Sequence, residues 1–249
     1  MNRTRLRFHA MFAVAAFAML YVQAGFAQQA APAAVVRTVL GVATLASVID
    51  TPLFFKLSTV QLPAGQTTEY AGPVGFIYVL TGRLVVQSGV GQQSLQPDDA
   101  FLIGPSDTHS LTAGQSAATS FLHFVLARSN EFHQAAKQPP ASIAQIYQTP
   151  GPIPDLKPGH YEFTLTRVRF PRMEPNPPHY RSGAALYYVL SGTGTFLADG
   201  KQEIKKAGTA HFEPRGWVHQ WGNNADEPLV LLQANISEEG APVVILGQP

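Results

Sequence analysis

The chain has 249 residues, with 17 Lys and Arg against 16 Asp and Glu, so its formal charge is only +1. That balance excludes the dense basic footprint of a nucleic-acid-binding protein or of a protein held on an anionic membrane. Charged residues make up 13% of the chain, glycine and proline number 21 and 20, and cysteine is absent. The fold must therefore stand on packing alone, and short strands joined by tight turns fit this profile better than helices.

The first 27 residues read as a cleaved export signal. Arg3, Arg5 and Arg7 form a basic head, Met11 to Val22 is a short apolar run, and Gly25-Phe26-Ala27 supplies small residues for a peptidase. The run is too short for a comfortable membrane span, and without cysteine there is no lipid anchor. Cleavage near Ala27 leaves about 222 residues in the periplasm or outside the cell, with no membrane attachment. The signal carries three arginines and no acid, so its removal takes the charge from +1 to −2.

After an Ala/Gln/Pro-rich leader, strand-like segments follow at Thr38 to Ile49, Phe54 to Leu62, Phe76 to Ser88, Ala100 to Ile103, Thr108 to Leu111 and Ser120 to Ala127. From Glu131 to Gly159 the composition changes to Gln, Pro and Ala. This predicts a semi-rigid connection with one short helix over Ala141 to Tyr147. Strands resume at Tyr161 to Phe170, Leu186 to Ala198, Thr209 to Phe212, Trp217 to Trp221 and Leu229 to Ile236.

The two halves repeat. Phe76-Ile-Tyr-Val-Leu-Thr-Gly82 matches Leu186-Tyr-Tyr-Val-Leu-Ser-Gly192 at an offset of 110 residues. Pro105 and His109 match Pro214 and His219, and Phe55-Lys-Leu-Ser-Thr lies opposite Phe163-Thr-Leu-Thr-Arg. The reading is a tandem all-β unit, with a first domain over 28–130, a linker over 131–159 and a second domain over 160–249.

The richest stretch is Gly208 to Asn223. A strand ends at Pro214, Gly216 permits a turn, and a new strand starting at Trp217 puts Trp217, His219 and Trp221 on one face. Those are the only two tryptophans, and they bracket an imidazole. Such a face serves as a pocket floor or as packed core, and Trp217 and Trp221 fit barrel lining better than a stacking site.

The spacing Gly208-x5-Pro214-x-Gly216-x2-His219-x3-Asn223 resembles the second motif of the cupin superfamily, and Tyr-Val-Leu-Ser-Gly192 resembles the end of the first. The mature chain resembles a bicupin, two double-stranded β-helix barrels in series. The resemblance implies a pocket in each barrel and, in many members, one metal held by three histidines and a glutamate. This chain departs from that set. The glutamate slot falls on Ala185 and the paired histidine slots on His179 and Arg181, so only His179 and His219 remain. In the first half the glutamate slot is Gly75. The histidine slots are Glu69 and Ala71, or Thr68 and Tyr70, and only His109 survives.

Two imidazoles suit iron, manganese, copper or zinc if an off-pattern residue such as His211, Glu213 or Glu174 joins them, and the family then implies a dioxygenase, decarboxylase or isomerase. Against this, Arg181 puts a fixed cation where a metal ligand would be, and a guanidinium suits a carboxylate or phosphate. The expectation is a metal-free second barrel that binds a small anionic or aromatic molecule through His179, Arg181, Tyr187, Trp217, His219 and Trp221. The alternatives are the metal enzyme and a purely structural role. The first barrel is read as structural, His109 as a barrel cap, and His123 and His133 as surface or core. A homodimer is compatible with the resemblance.

Overall fold

The computed structural model describes residues 34–45, 52–104, 108–128, 131 and 140–247. The expected export signal, the leader and His133 lie outside them. Among the described residues the chain forms strands and no helix, so none is long and apolar enough to cross a membrane.

In chain order the first strands are β1 (Val36–Leu45), β2 (Leu53–Leu62), β3 (Thr67–Ala71), β4 (Gly75–Thr81), β5 (Leu84–Ser88), β6 (Gly91–Leu95), β7 (Ala100–Ile103), β8 (Thr108–Ala113), β9 (Thr119–Arg128) and β10 (Ser142–Gln148). They are followed by β11 (Tyr161–Phe170), β12 (His179–Arg181), β13 (Ala184–Ser191), β14 (Thr193–Ala198), β15 (Lys201–Lys206), β16 (Ala210–Glu213), β17 (His219–Gly222), β18 (Leu229–Glu238) and β19 (Val244–Leu246). Four antiparallel sheets result, in the orders β3-β8-β5-β6, β10-β2-β9-β4-β7, β1-β11-β18-β13-β16 and β15-β14-β17-β12-β19.

The sheets stack as four layers around three cores. Val60, Ile77, Val86, Leu111 and Phe121 fill the first barrel, between the first two sheets. Phe55, Phe76 and Phe124 meet Phe163, Leu186 and Ile236 between the sheets β10-β2-β9-β4-β7 and β1-β11-β18-β13-β16. Val168, Tyr187, Phe196, Trp221 and Leu231 fill the second barrel. The middle core buries one face of β2, β9, β11 and β18 and the barrel cores cover the other, so hardly any residue of these strands is exposed. Phe76 and Phe163 seal it with ring centroids 4.9 Å apart.

Several expectations change. Residues 142–148 form β10, not a helix, and pair with β2 at the edge of the first barrel's inner sheet. An open sheet edge offers seven residues more hydrogen bonds than a lone two-turn helix does. β1, read from sequence as part of the first unit, pairs with β11 in the second barrel's sheet. The strand after Gly216 starts at His219, not Trp217. β3, β6, β12 and β15 were not legible as strands because they are short or mostly polar on their exposed faces. The repeat's terminal glycines have one cause: Gly82 and Gly192 take φ of 77° and 79°. A Cβ there would lie 2.6 Å from the Ala118 carbonyl oxygen and 2.7 Å from that of Pro228.

Candidate functional site

The second barrel gathers its polar side chains around Glu213. This residue ends β16 directly opposite Ala185 of β13. The carboxylate missing from the slot at Ala185 is thus supplied from the neighbouring strand. Paired residues on adjacent strands share a face, so Glu213 points into the barrel, where its side chain is fully buried.

Both oxygens of Glu213 accept a hydrogen bond. Arg181 Nε donates to its Oε2 at 3.1 Å, and Trp221 Nε1 donates to its Oε1 at 2.8 Å. His219 Nε2 lies 3.1 Å from the same Oε1, off the line of a good hydrogen bond. Burial alone would raise the Glu213 pKa, but the Arg181 charge and the His219 and Trp221 contacts bring it down to about 2. Arg181 is only 2% exposed. Its Nη2 donates to the Tyr187 hydroxyl, which donates in turn to Gln233 Oε1 at 3.0 Å. Burial pushes the Tyr187 hydroxyl's pKa up.

His179 and His219 face each other across β12 and β17, with ring centroids 4.5 Å apart. Each ring meets a backbone carbonyl through Nδ1: His179 at Pro177 (3.1 Å) and His219 at Trp217 (2.8 Å). A carbonyl only accepts, so each ring carries a proton on Nδ1 and turns Nε2 inward, and the Nε2 of His219 there faces a second acceptor, the Glu213 carboxylate. Burial, then the Arg181 charge and His219, lower the His179 pKa to about 4. His211 sits opposite Tyr187 against the Phe196 ring, and burial lowers its pKa to about 4 as well.

Five of the six residues singled out in the second barrel, His179, Arg181, Tyr187, His219 and Trp221, therefore belong to one assembly, but their roles differ from expectation. Arg181 was expected to grip an incoming anion, yet Glu213 already supplies one. Trp221, Arg181 and Tyr187 are among the largest fully buried side chains, so they fill the space where an aromatic ligand would stack. Trp217 lies outside that core, partly exposed, with its indole N–H bound to Asp199 Oδ2 at 3.1 Å.

A metal does not fit this centre. The inward Nε2 atoms of His179 and His219 would suit one, but the third donor does not: both Glu213 oxygens are held by N–H donors, and a guanidinium stands beside the carboxylate. Among the described residues no group of three or more His, Cys, Asp or Glu side chains is placed to hold a metal ion.

What the sequence reading missed is a row of polar residues on β18. Asn235, Ala185 and Glu213 lie side by side on three adjacent strands, and the middle one carries only a methyl group. The amide of Asn235, the hydroxyl of Ser237 and Arg181 Nη1 are buried without a partner among the described residues. The signal was present in the sequence. Gln233, Asn235 and Ser237 alternate with apolar residues, so an otherwise buried strand turns a polar face inward.

Comparison with known proteins agrees with the fold. Residues 166–235 match the Cupin_2 family model, a cupin domain. No curated protein matches the chain. Among solved structures, oxalate decarboxylase from Bacillus subtilis at pH 4.6 is 15% identical over 77% of this chain and 70% of its own, with a TM-score of 0.53. A second structure of that enzyme, described for its Mn(II) centres, is 14% identical over 84% of this chain and 78% of its own, with a TM-score of 0.54. A cupin 2 conserved barrel domain protein from Leptotrichia buccalis is 18% identical, covering 80% and 89%, with a TM-score of 0.46. At such identities the likeness is one of fold alone.

Proposed function

We propose that the protein is an exported bicupin whose second barrel binds a small anion, of the size of a one- to three-carbon carboxylate, without a metal. One observation carries this reading. Arg181 Nη1 and the Asn235 amide are both buried without partners among the described residues of the second barrel, and Asn235 lies opposite Ala185, which offers only a methyl group. Buried donors left unsatisfied cost on the order of 1–3 kcal/mol each, so such a group calls for an occupant. The guanidinium already balances Glu213, and its third nitrogen and the amide N–H together suit a carboxylate oxygen. The filled barrel limits that occupant to a few atoms, so the aromatic class is set aside.

Thermal melting in formate, acetate or lactate tests the reading. A saturable rise in Tm is expected for the mature chain, lost in Arg181→Lys and in Asn235→Leu. No rise, or the same rise in both variants, would refute it.

A further inference from the structure

The first barrel has the same architecture and the opposite filling. Strand register gives the correspondence. Tyr187 pairs with Gln233 where Ile77 pairs with His123, and Phe196 pairs with Trp221 where Val86 pairs with Leu111. Ala185 pairs with Glu213 where Gly75 pairs with Ile103, and His179 pairs with His219 where Tyr70 pairs with His109. Two residues beyond His179 stands Arg181, whereas Gly72 stands two beyond Tyr70. The bulky side chains that fill the second barrel are thus replaced by Ile, Leu, Val and Gly. What opens is a cavity of about 880 Å³, walled by Val60, Ile77, Leu111 and Phe121. That volume lies in the range of small-molecule sites.

Its buried polar side chains are Ser58, Thr68 and His123. His123 is 9% exposed, lies on the cavity wall, and its Nε2 has no partner among the described residues. The Tyr70 ring meets it edge-on at 4.7 Å, so the imidazole's position is fixed. Room for Nε2 depends on Gly75: a Cβ there would stand 3.0 Å from it. Burial, reinforced by the charge of Lys56, lowers the His123 pKa to about 3, so the ring is neutral. The charged side chains on the wall, Lys56, Glu69 and Glu131, are partly or fully exposed, which places them towards the mouth. They sum to one negative charge. A carboxylate driven to the deep end would meet a neutral imidazole, two hydroxyl side chains (Ser58 and Thr68) and otherwise mainly apolar walls, which is costly.

We propose that the first barrel is a second binding site, for an uncharged and mainly apolar ring compound whose hydroxyl group hydrogen-bonds to His123 Nε2. A hydroxyl both donates and accepts, so it matches the imidazole in either neutral tautomer. The site is independent of the anion centre in the second barrel and reverses the reading of the first barrel as purely structural.

The test uses the mature chain and N-phenyl-1-naphthylamine, an uncharged fluorophore with one N–H, as the reporter. Its fluorescence should rise saturably with the protein. The rise should vanish in Leu111→Trp, which transplants the residue found at the matching place in the second barrel, and in Ile77→Tyr, which does the same independently. At neutral pH, 2-naphthol should displace the reporter about tenfold better than 2-methylnaphthalene, the factor expected for one net hydrogen bond. Naphthalene-2-carboxylate should displace it poorly. In His123→Leu the reporter should still bind, while the preference for the naphthol falls to within about twofold. No saturable binding, or binding untouched by both filling variants, overturns the site. Equal displacement by naphthol and methylnaphthalene, a preference that survives His123→Leu, or tight binding of the carboxylate overturns the ligand class.

Discussion

Arg181 and Glu213 form an ion pair, Nε to Oε2 at 3.1 Å, between two side chains that are 2% and 0% exposed. The guanidinium is a cation tethered by its own chain in the middle of a β barrel. Its partner comes from the strand next to the slot where sequence comparison sought a carboxylate. That exchange has energetic consequences, because the desolvation of both charges is offset only while both are present.

Removing one charge should cost far more than removing two. Arg181→Met leaves Glu213 buried and uncompensated, and urea melts should show a loss of about 3–5 kcal/mol. Arg181→Met combined with Glu213→Gln should recover most of that loss, giving a large coupling energy in the double-mutant cycle. Additive losses would mean that the pair does not act as a unit.

Acid should destabilise the fold in two stages. His123, His179 and His211 have folded pKa values lowered from 6.5 to about 3, 4 and 4. Between those values and 6.5 the unfolded chain binds more protons, so stability is complete above pH 6.5 and falls as pH drops. Glu213 is lowered from 4.5 to about 2 by its partners, so its contribution is present above pH 4.5 and is lost towards pH 2. Tm against pH should therefore slope downward from about pH 6.5, and His123→Leu should flatten the upper part of that slope. A Tm that is constant between pH 6.5 and 4 would contradict the burial of these rings.

Gly41 should be intolerant of a side chain. It lies on β1 at a shift in the pairing with β11, and a Cβ there would stand 2.7 Å from Cε1 of Phe76. Gly41→Val should displace Phe76 and cost about 1–3 kcal/mol. The middle core draws on both barrels, so wild type and variant should each melt in a single transition by calorimetry. Two separated transitions would show that the barrels fold independently.

The fold was more legible than the site, for definable reasons. The Tyr-Val-Leu-Ser-Gly192 run and the Gly208 to Asn223 spacing encode a turn with a positive-φ glycine and a buried strand, both of which are local features. Which strand lies beside which is not local. Glu213 was seen only as one of several off-pattern candidates, because its meaning depends on lying opposite Ala185. His123 passed as an orphan for the same reason, since its counterpart is Gln233, a different residue type. The sequence marks Arg181 as a residue expected to oppose a metal. Its commitment to Glu213 is not legible in the sequence, whereas the row of Asn235 and Ser237 leaves a trace in the alternation along β18. β10 was misread because its composition favours neither state and the free edge of β2 decides it.

Arg181 takes one of the slots a metal ligand would fill and is bound to Glu213, so metal content is the most direct test of a metal-free second barrel. The mature chain would be purified without a His-tag or chelator, incubated with manganese, iron, copper or zinc, desalted and assayed by elemental analysis beside His179→Ala/His219→Ala. The prediction is far less than one equivalent of any metal, with no difference between the two proteins. Close to one equivalent in the wild type, lost in the variant, would contradict the claim.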